Sequence, residues 1–251
     1  MAFSLILIYK IQKRLISLVI AMLFLLTCCT VNTYGQKVNK YGLAVIEKKQ
    51  ELKQIIAADS TMAMLNIKQL IPGIQLDLKY AGTGNFMQQR LYPAGLTTTF
   101  LRRPAALALQ KVQAALHKKG LGLKIWDAYR PYSVTVKMWE PVKDDRYAAD
   151  PKFGSGHNRG IAVDLTIVEL ATGRELDMGT GFDHFSDTAH SDFKNLPAII
   201  LQNRLLLRSL MEANGFKILD TEWWHFYLPD SKKYALLDLS FNELKNLKGV
   251  R

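Results

Sequence analysis

The tightest constraint on this chain comes from two stretches. One is Ser155-Gly156-His157-Asn158-Arg159-Gly160-Ile161-Ala162-Val163-Asp164, the other Glu222-Trp223-Trp224-His225. Each is ambiguous alone. Brought together, they supply His157, Asp164 and His225, two imidazoles and one carboxylate suited to Zn²⁺. Three protein ligands leave a fourth position for water, which separates a catalytic zinc site from a closed structural one. Glu222 then stands as a carboxylate beside that water, able to take its proton and return it to a leaving amine. The reading is a zinc hydrolase with one zinc per chain.

The plainer readings are a hydrogen-bonded His157 with Asp164 capping a turn, and an aromatic core strand that happens to begin with Glu222. Against the second, a Glu and a His buried beside two tryptophans must be paired or metal-bound to offset their desolvation. Gly156 and Gly160 permit a sharp path from the loop carrying His157 into the strand carrying Asp164. Arg130, in Asp127-Ala128-Tyr129-Arg130-Pro131, ends a buried strand. A guanidinium there suits a developing oxyanion, and the alternative is a salt bridge to Asp127. His184 and His190 are rival ligands in a polar loop, and His117 is set aside at the end of a helix.

Apolar periodicity predicts a helix over residues 40–57 and a half-buried strand over 74–80, and Gly82, Gly84, Pro93 and Gly95 make 81–99 a long loop. A helix follows over 104–119, with Pro104 at its start, then a buried strand over 121–129 and a helix near 132–140. A strand over 161–168, a turn at 171–173 leading into 174–178, a helix over 198–213 ended by Asn214-Gly215, and strands at 216–219 and 223–228 complete the pattern. Strands and helices do not alternate regularly. The expected fold is α+β, a mixed, largely antiparallel central sheet flanked by helices in a single domain.

The beginning of the chain differs in kind. Lys10, Lys13 and Arg14 precede an apolar run from Leu15 to Leu26, and no acidic residue occurs before Glu47. Residues 1–35 read as a secretory signal, with an N-terminal anchor or a lipoprotein acylated at Cys28 as the alternatives. The run is short for a membrane span of about 20 residues, so no span is expected in the mature chain. The expected location is outside the cytoplasm, in the periplasm. Both cysteines, Cys28 and Cys29, fall in the signal, which leaves a mature chain cut near Gly35 with neither disulfides nor a cysteine nucleophile. Cleavage there lowers the formal charge from +11 to +8, since three basic residues leave and no acidic ones. The remaining basic residues are dispersed, without the interleaved aromatics of a nucleic-acid surface, so no nucleic-acid partner is expected.

The two metal-site stretches and Asp127-Ala128-Tyr129-Arg130-Pro131 together resemble the D-alanyl-D-alanine dipeptidases, the VanX-like zinc peptidases. The resemblance runs from about Ile71 to Leu228, through Leu76-Asp77-Leu78-Lys79-Tyr80, Met178-Gly179-Thr180-Gly181-Phe182-Asp183 and Gln202-Asn203-Arg204. It implies zinc on His157, Asp164 and His225, with Glu222 as base and Arg130 on the transition state. It also implies that Tyr80, Ser155 and Asp183 hold the substrate amino group. The chain then divides into a signal (1–35), an N-terminal helical extension (36–66), a zinc dipeptidase catalytic domain (67–230) and a basic C-terminal tail (231–251). The export signal departs from several familiar members. The rival readings are a D,D- or L,D-carboxypeptidase acting on peptidoglycan stems and a zinc-stabilised wall-binding module. Glu222 and Arg130 speak against the last, because a structural site needs neither.

Overall fold

The computed structural model describes residues 38–247. The expected signal with both cysteines, and the last four residues of the tail, lie outside the described residues. In chain order the elements are β1 (Val45–Ile46), α1 (Lys49–Ala58), β2 (Met64–Asn66), α2 (Ile67–Leu70), β3 (Gln75–Leu76), β4 (Phe100–Arg102), α3 (Arg103–His117) and β5 (Leu121–Asp127). Then come α4 (Tyr132–Val142), α5 (Gly156–Arg159), β6 (Ala162–Glu169), α6 (Ala198–Ala213), β7 (Lys217–Leu219), β8 (Glu222–Tyr227), β9 (Leu236–Leu237) and α7 (Phe241–Lys245).

The central sheet runs β3-β5-β6-β8-β7. Only its edge pair, β3 with β5, is parallel, so the α+β, largely antiparallel expectation holds. Side chains alternate between the faces of a strand. On one face Leu123, Ile125, Val163, Leu165 and Ile167 join Leu109, Val112 and Leu116 of α3 and Leu207 and Met211 of α6 in one buried cluster. Asp164 has the opposite parity on β6 and is in register with His225 on β8. The sheet thus uses one face for packing and offers the other to chemistry.

The helices over 104–119 and 198–213 and the long loop over 81–99 appear where the sequence puts them, whereas the helix expected over 40–57 is confined to Lys49–Ala58, with β1 before it. The expected strand over 74–80 does not run its full length. Pairing stops at Leu76, and residues 79–81 turn in a single 3-10 step. The alternation is real, because Ile74, Leu78 and Tyr80 are all buried. It marks inward-facing side chains on a chain that leaves the sheet to deliver Tyr80 to the site. The segment 174–178 contributes one isolated bridge, Val168 with Glu175, and no strand.

The two ends of the described chain meet. β1 pairs in parallel with β9, and Ile46 and Leu52 share a core cluster with Leu237, Leu239, Phe241 and Leu244. Arg102 ties this assembly to the centre. Its guanidinium is buried and donates to the carbonyls of Met62, Arg159 (2.9 Å) and Ala235 (3.1 Å). Among the described residues no carboxylate pairs with it, and burial draws its pKa down to about 10. Even so, it remains charged at neutral pH.

Candidate active site

His157 sits in α5, a single four-residue turn too short to be helical by propensity alone, since nucleation costs more than one turn returns. Its neighbours impose the conformation. The Ser155 hydroxyl accepts from the Asn158 amide (3.1 Å), and the Asn158 side chain accepts in return from the Ser155 amide (3.0 Å). A capping interaction of this kind contributes about 1 kcal/mol. Asn158 also donates to Arg130 O and to Thr135 Oγ1. Gly160 ends the turn at φ +71°, and a Cβ on Gly156 would lie 2.8 Å from that of Ala162. The backbone N–H and Nε of Arg102 donate to Gly160 O (2.7 Å) and Arg159 O.

This clamp aims the imidazole. His157 Nδ1 is 2.7 Å from Ala128 O. A carbonyl only accepts, so the proton resides on Nδ1 and Nε2 presents its lone pair. That lone pair lies 3.3 Å from Asp164 Oδ2 and 3.3 Å from His225 Nδ1, while His225 Nδ1 lies 2.8 Å from Asp164 Oδ1. One ligand atom from each residue fits within 4.8 Å of the others. Tetrahedral zinc with bonds of about 2.0–2.1 Å needs donors about 3.3 Å apart, so the set fits the ion. The three residues singled out from sequence therefore converge, and His184 and His190 stay outside the cluster.

Burial opposes charge on Asp164 and His225, but the two imidazoles together hold the Asp164 carboxyl below its usual range, and Asp164 with Glu222 raises the His225 imidazole. Glu222 Oε2 is 3.8 Å from His225 Nδ1. Burial pushes the Glu222 carboxyl up, with the Asp164 charge adding to it and His225 opposing.

Arg130 is bound to Asp127 through Nε (2.9 Å) and Nη2 (2.7 Å), as the salt-bridge reading anticipated, yet Nη2 also lies 4.0 Å from Asp164 Oδ2. Its guanidinium packs 5.0 Å from the centre of the Tyr80 ring. Burial disfavours its charge, but Asp127, Tyr80, Tyr92 and Asp164 together outweigh burial and the pKa rises. Asp127 can reach both Arg130 and the site because the β5–β6 register shifts between Ile125 and Asp127. Tyr92 completes this support by donating to Asp127 Oδ1 at 2.6 Å. Sequence reasoning gave Tyr92 no role, and only its place in the long 81–99 loop marked it.

Tyr80 and Asp183 meet at the other end, with the phenol donating to the carboxylate at 3.3 and 3.4 Å. The Phe86 amide donates to Asp183 Oδ2 at 3.2 Å. Burial, reinforced by the charges of Asp164 and Glu222, pushes the Asp183 carboxyl up to about 7. Ser155 lines the same cavity, and its hydroxyl still has a proton to donate after capping α5. All eight residues singled out for the site line one cavity of about 140 Å³. This is well below the roughly 300–1,000 Å³ of sites for drug-sized ligands.

A buried and a half-buried imidazole with a shared carboxylate, and a second carboxylate of raised pKa beside them, is an arrangement of metal-dependent hydrolases. Residues 60–245 match the Peptidase_M15 family model, described as D-ala-D-ala dipeptidase. A D-alanyl-D-alanine dipeptidase of Escherichia coli K12 is 35% identical over 182 residues, covering 72% of this chain and 93% of that one. Another from Enterococcus faecalis V583 is 30% identical over 184 residues, covering 66% and 91%. A solved LdcB LD-carboxypeptidase is a more remote likeness, with a TM-score of 0.39 and 19% identity over 65% of this chain and 70% of that chain. The chain belongs to the D-Ala-D-Ala dipeptidase family of metallopeptidases.

Proposed function

We propose that the protein is a zinc-dependent D,D-dipeptidase that hydrolyses D-Ala-D-Ala, or a related D-amino-acid dipeptide, to free amino acids. The observation that carries this reading is the convergence of His157 Nε2, Asp164 and His225 Nδ1 in a small cavity that Asp183 also lines. Zinc held by His157, Asp164 and His225 would supply a Lewis acid that polarises the scissile carbonyl and lowers the pKa of water to about 7. Glu222, its carboxyl raised towards the working range, accepts the proton of the attacking water and passes it to the leaving amine. Arg130, fixed by Asp127, faces the negative charge that develops on the carbonyl oxygen. Asp183, with Tyr80 and Ser155, receives the substrate ammonium in a charge-assisted hydrogen bond.

The deciding assay compares free D-Ala-D-Ala with an N-acylated stem pentapeptide on zinc-loaded protein. Only the free dipeptide has an ammonium for Asp183, so it should be the faster substrate. Equal or faster cleavage of the stem peptide would replace this reading with the carboxypeptidase one. Chelation should abolish turnover and Zn²⁺ restore it, with close to one zinc per chain. His157→Ala, Asp164→Ala and His225→Ala should each weaken zinc retention. Full metal content in all three variants would show that zinc binds elsewhere.

Export to the periplasm is part of the proposal, and small D-dipeptides and peptidoglycan fragments are the partners it would meet there. Among the described residues no helix is long and apolar enough to cross a membrane. Mass spectrometry of protein from the native host should find a mature N-terminus near Gln36. An intact Met1 in the cytoplasmic fraction would overturn this part.

A further inference from the structure

Near Asp183 the cavity is lined by aromatic rings from three separate segments. Phe86 comes from the 81–99 loop, Phe185 from the segment after Asp183, and Tyr147 from the loop that follows α4. Phe86 and Phe185 meet edge-on with ring centres 5.6 Å apart, and Phe185 meets Tyr147 at 4.8 Å. All three line the catalytic cavity. Phe185 and Tyr147 are nonetheless 37% and 38% exposed, so the rings lie between the site and solvent rather than in the core. Large apolar side chains left in this position need a reason other than burial.

The backbone gives a second observation. Among the described residues, the non-glycine positions at positive φ are Gln88 (50°), Lys143 (50°), Asp183 (56°) and Asp230 (60°). Gln88 lies two residues from Phe86 and Asp183 two from Phe185, while Lys143 caps the end of α4, which leads to Tyr147. Such conformations cost free energy and persist where the surroundings hold them, commonly at ligand clamps. The closure is also linked to the anchor below it. The Phe86 amide holds Asp183 Oδ2 while the Phe86 ring packs on Phe185.

We propose that Phe185 and Tyr147 are specificity-determining residues, which close the site past the substrate amine and exclude any chain that continues beyond it. The inference rests on the dipeptidase reading and deepens it. Asp183 attracts a free ammonium, whereas the rings reject what an N-acyl group or a further residue would add. On charge alone an acylated substrate would merely bind more weakly. With the rings in place it also lacks room, and the two contributions separate by mutation.

The experiment measures kcat/KM for D-Ala-D-Ala and for N-acetyl-D-Ala-D-Ala on the zinc-loaded full chain, the Phe185→Ala and Tyr147→Ala variants, and the double variant. The ratio of acetylated to free substrate should rise by roughly tenfold or more in the double variant, the scale on which pocket shape discriminates small groups. Each single variant should give part of that rise. A ratio that stays within about threefold of the unaltered protein, or rates for both substrates that fall together, would overturn the assignment. Should the double variant fail to melt cooperatively, the ratio in the folded single variants decides, since each residue is over a third exposed. No hydrolysis of free D-Ala-D-Ala by the unaltered protein would remove the dipeptidase reading and this inference with it. Normal hydrolysis with an unmoved ratio would remove this inference alone.

Discussion

Replacing Glu222 with Gln should slow hydrolysis of D-Ala-D-Ala by at least about 10²–10⁴-fold, the usual contribution of a positioned general base. The amide keeps the shape of the carboxyl but cannot accept the proton. Zinc content should stay near that of the unaltered protein, because Glu222 Oε2 is 3.8 Å from His225 Nδ1 and outside the converging ligand set. Metal analysis alongside turnover separates the possibilities. Loss of zinc from this variant would place Glu222 among the ligands, and retained turnover would transfer the base role to another group.

The second large effect concerns Asp183, where activity and stability should move in opposite directions. Asp183→Asn should lower kcat/KM for the free dipeptide by roughly 10–150-fold, since a hydrogen bond to a charged group contributes about 1.5–3 kcal/mol. Asn is the informative substitution because it tolerates the left-handed backbone at φ 56°, so loss of charge is not mixed with strain. Burial raises the carboxyl from 3.8 to about 7, so the folded chain resists its ionisation. A carboxyl raised in this way supports folding most below its unfolded pKa, and that support is lost as pH rises through 7. Metal-free Asp183→Asn should therefore melt above the unaltered protein at pH 8, and the difference should close towards pH 4. Melting curves in chelator across this range test the sign. A variant less stable at pH 8 than at pH 4, relative to the unaltered protein, would contradict it. That outcome would mean that the unaltered enzyme gives up stability for a charge the proposed substrate requires.

Much of the candidate site was legible in the sequence, because His157 with Asp164, Glu222 with His225 and a strand-ending Arg130 are metal-binding or charged residues at short spacing. The α3 and α6 helices were legible for another reason, since long periodic segments repeat their signal several times. What surrounds the ligands was not. The register shift between Ile125 and Asp127 is a backbone event with no side-chain signature, yet it brings Asp127 alongside Asp164 and lets Arg130 be held. The β1–β9 pair covers two residues on each strand, too few for alternation to register. Alternation over 74–80 misled because buried side chains at every second position are compatible with a chain turning away from the sheet. Phe86, Tyr147 and Phe185 carry no mutual spacing pattern, since they meet only after three loops converge.

The buried guanidinium of Arg102 has a consequence for cooperativity. Its acceptors lie on the segment before β2, on the turn carrying His157 and on the segment entering β9. Losing any one would leave a donor of a buried cation unmatched, which is costlier than losing an ordinary surface contact. The segment before β2, the turn carrying His157 and the entry to β9 are thus coupled through one side chain, so undocking of either flanking segment is expected to reach His157.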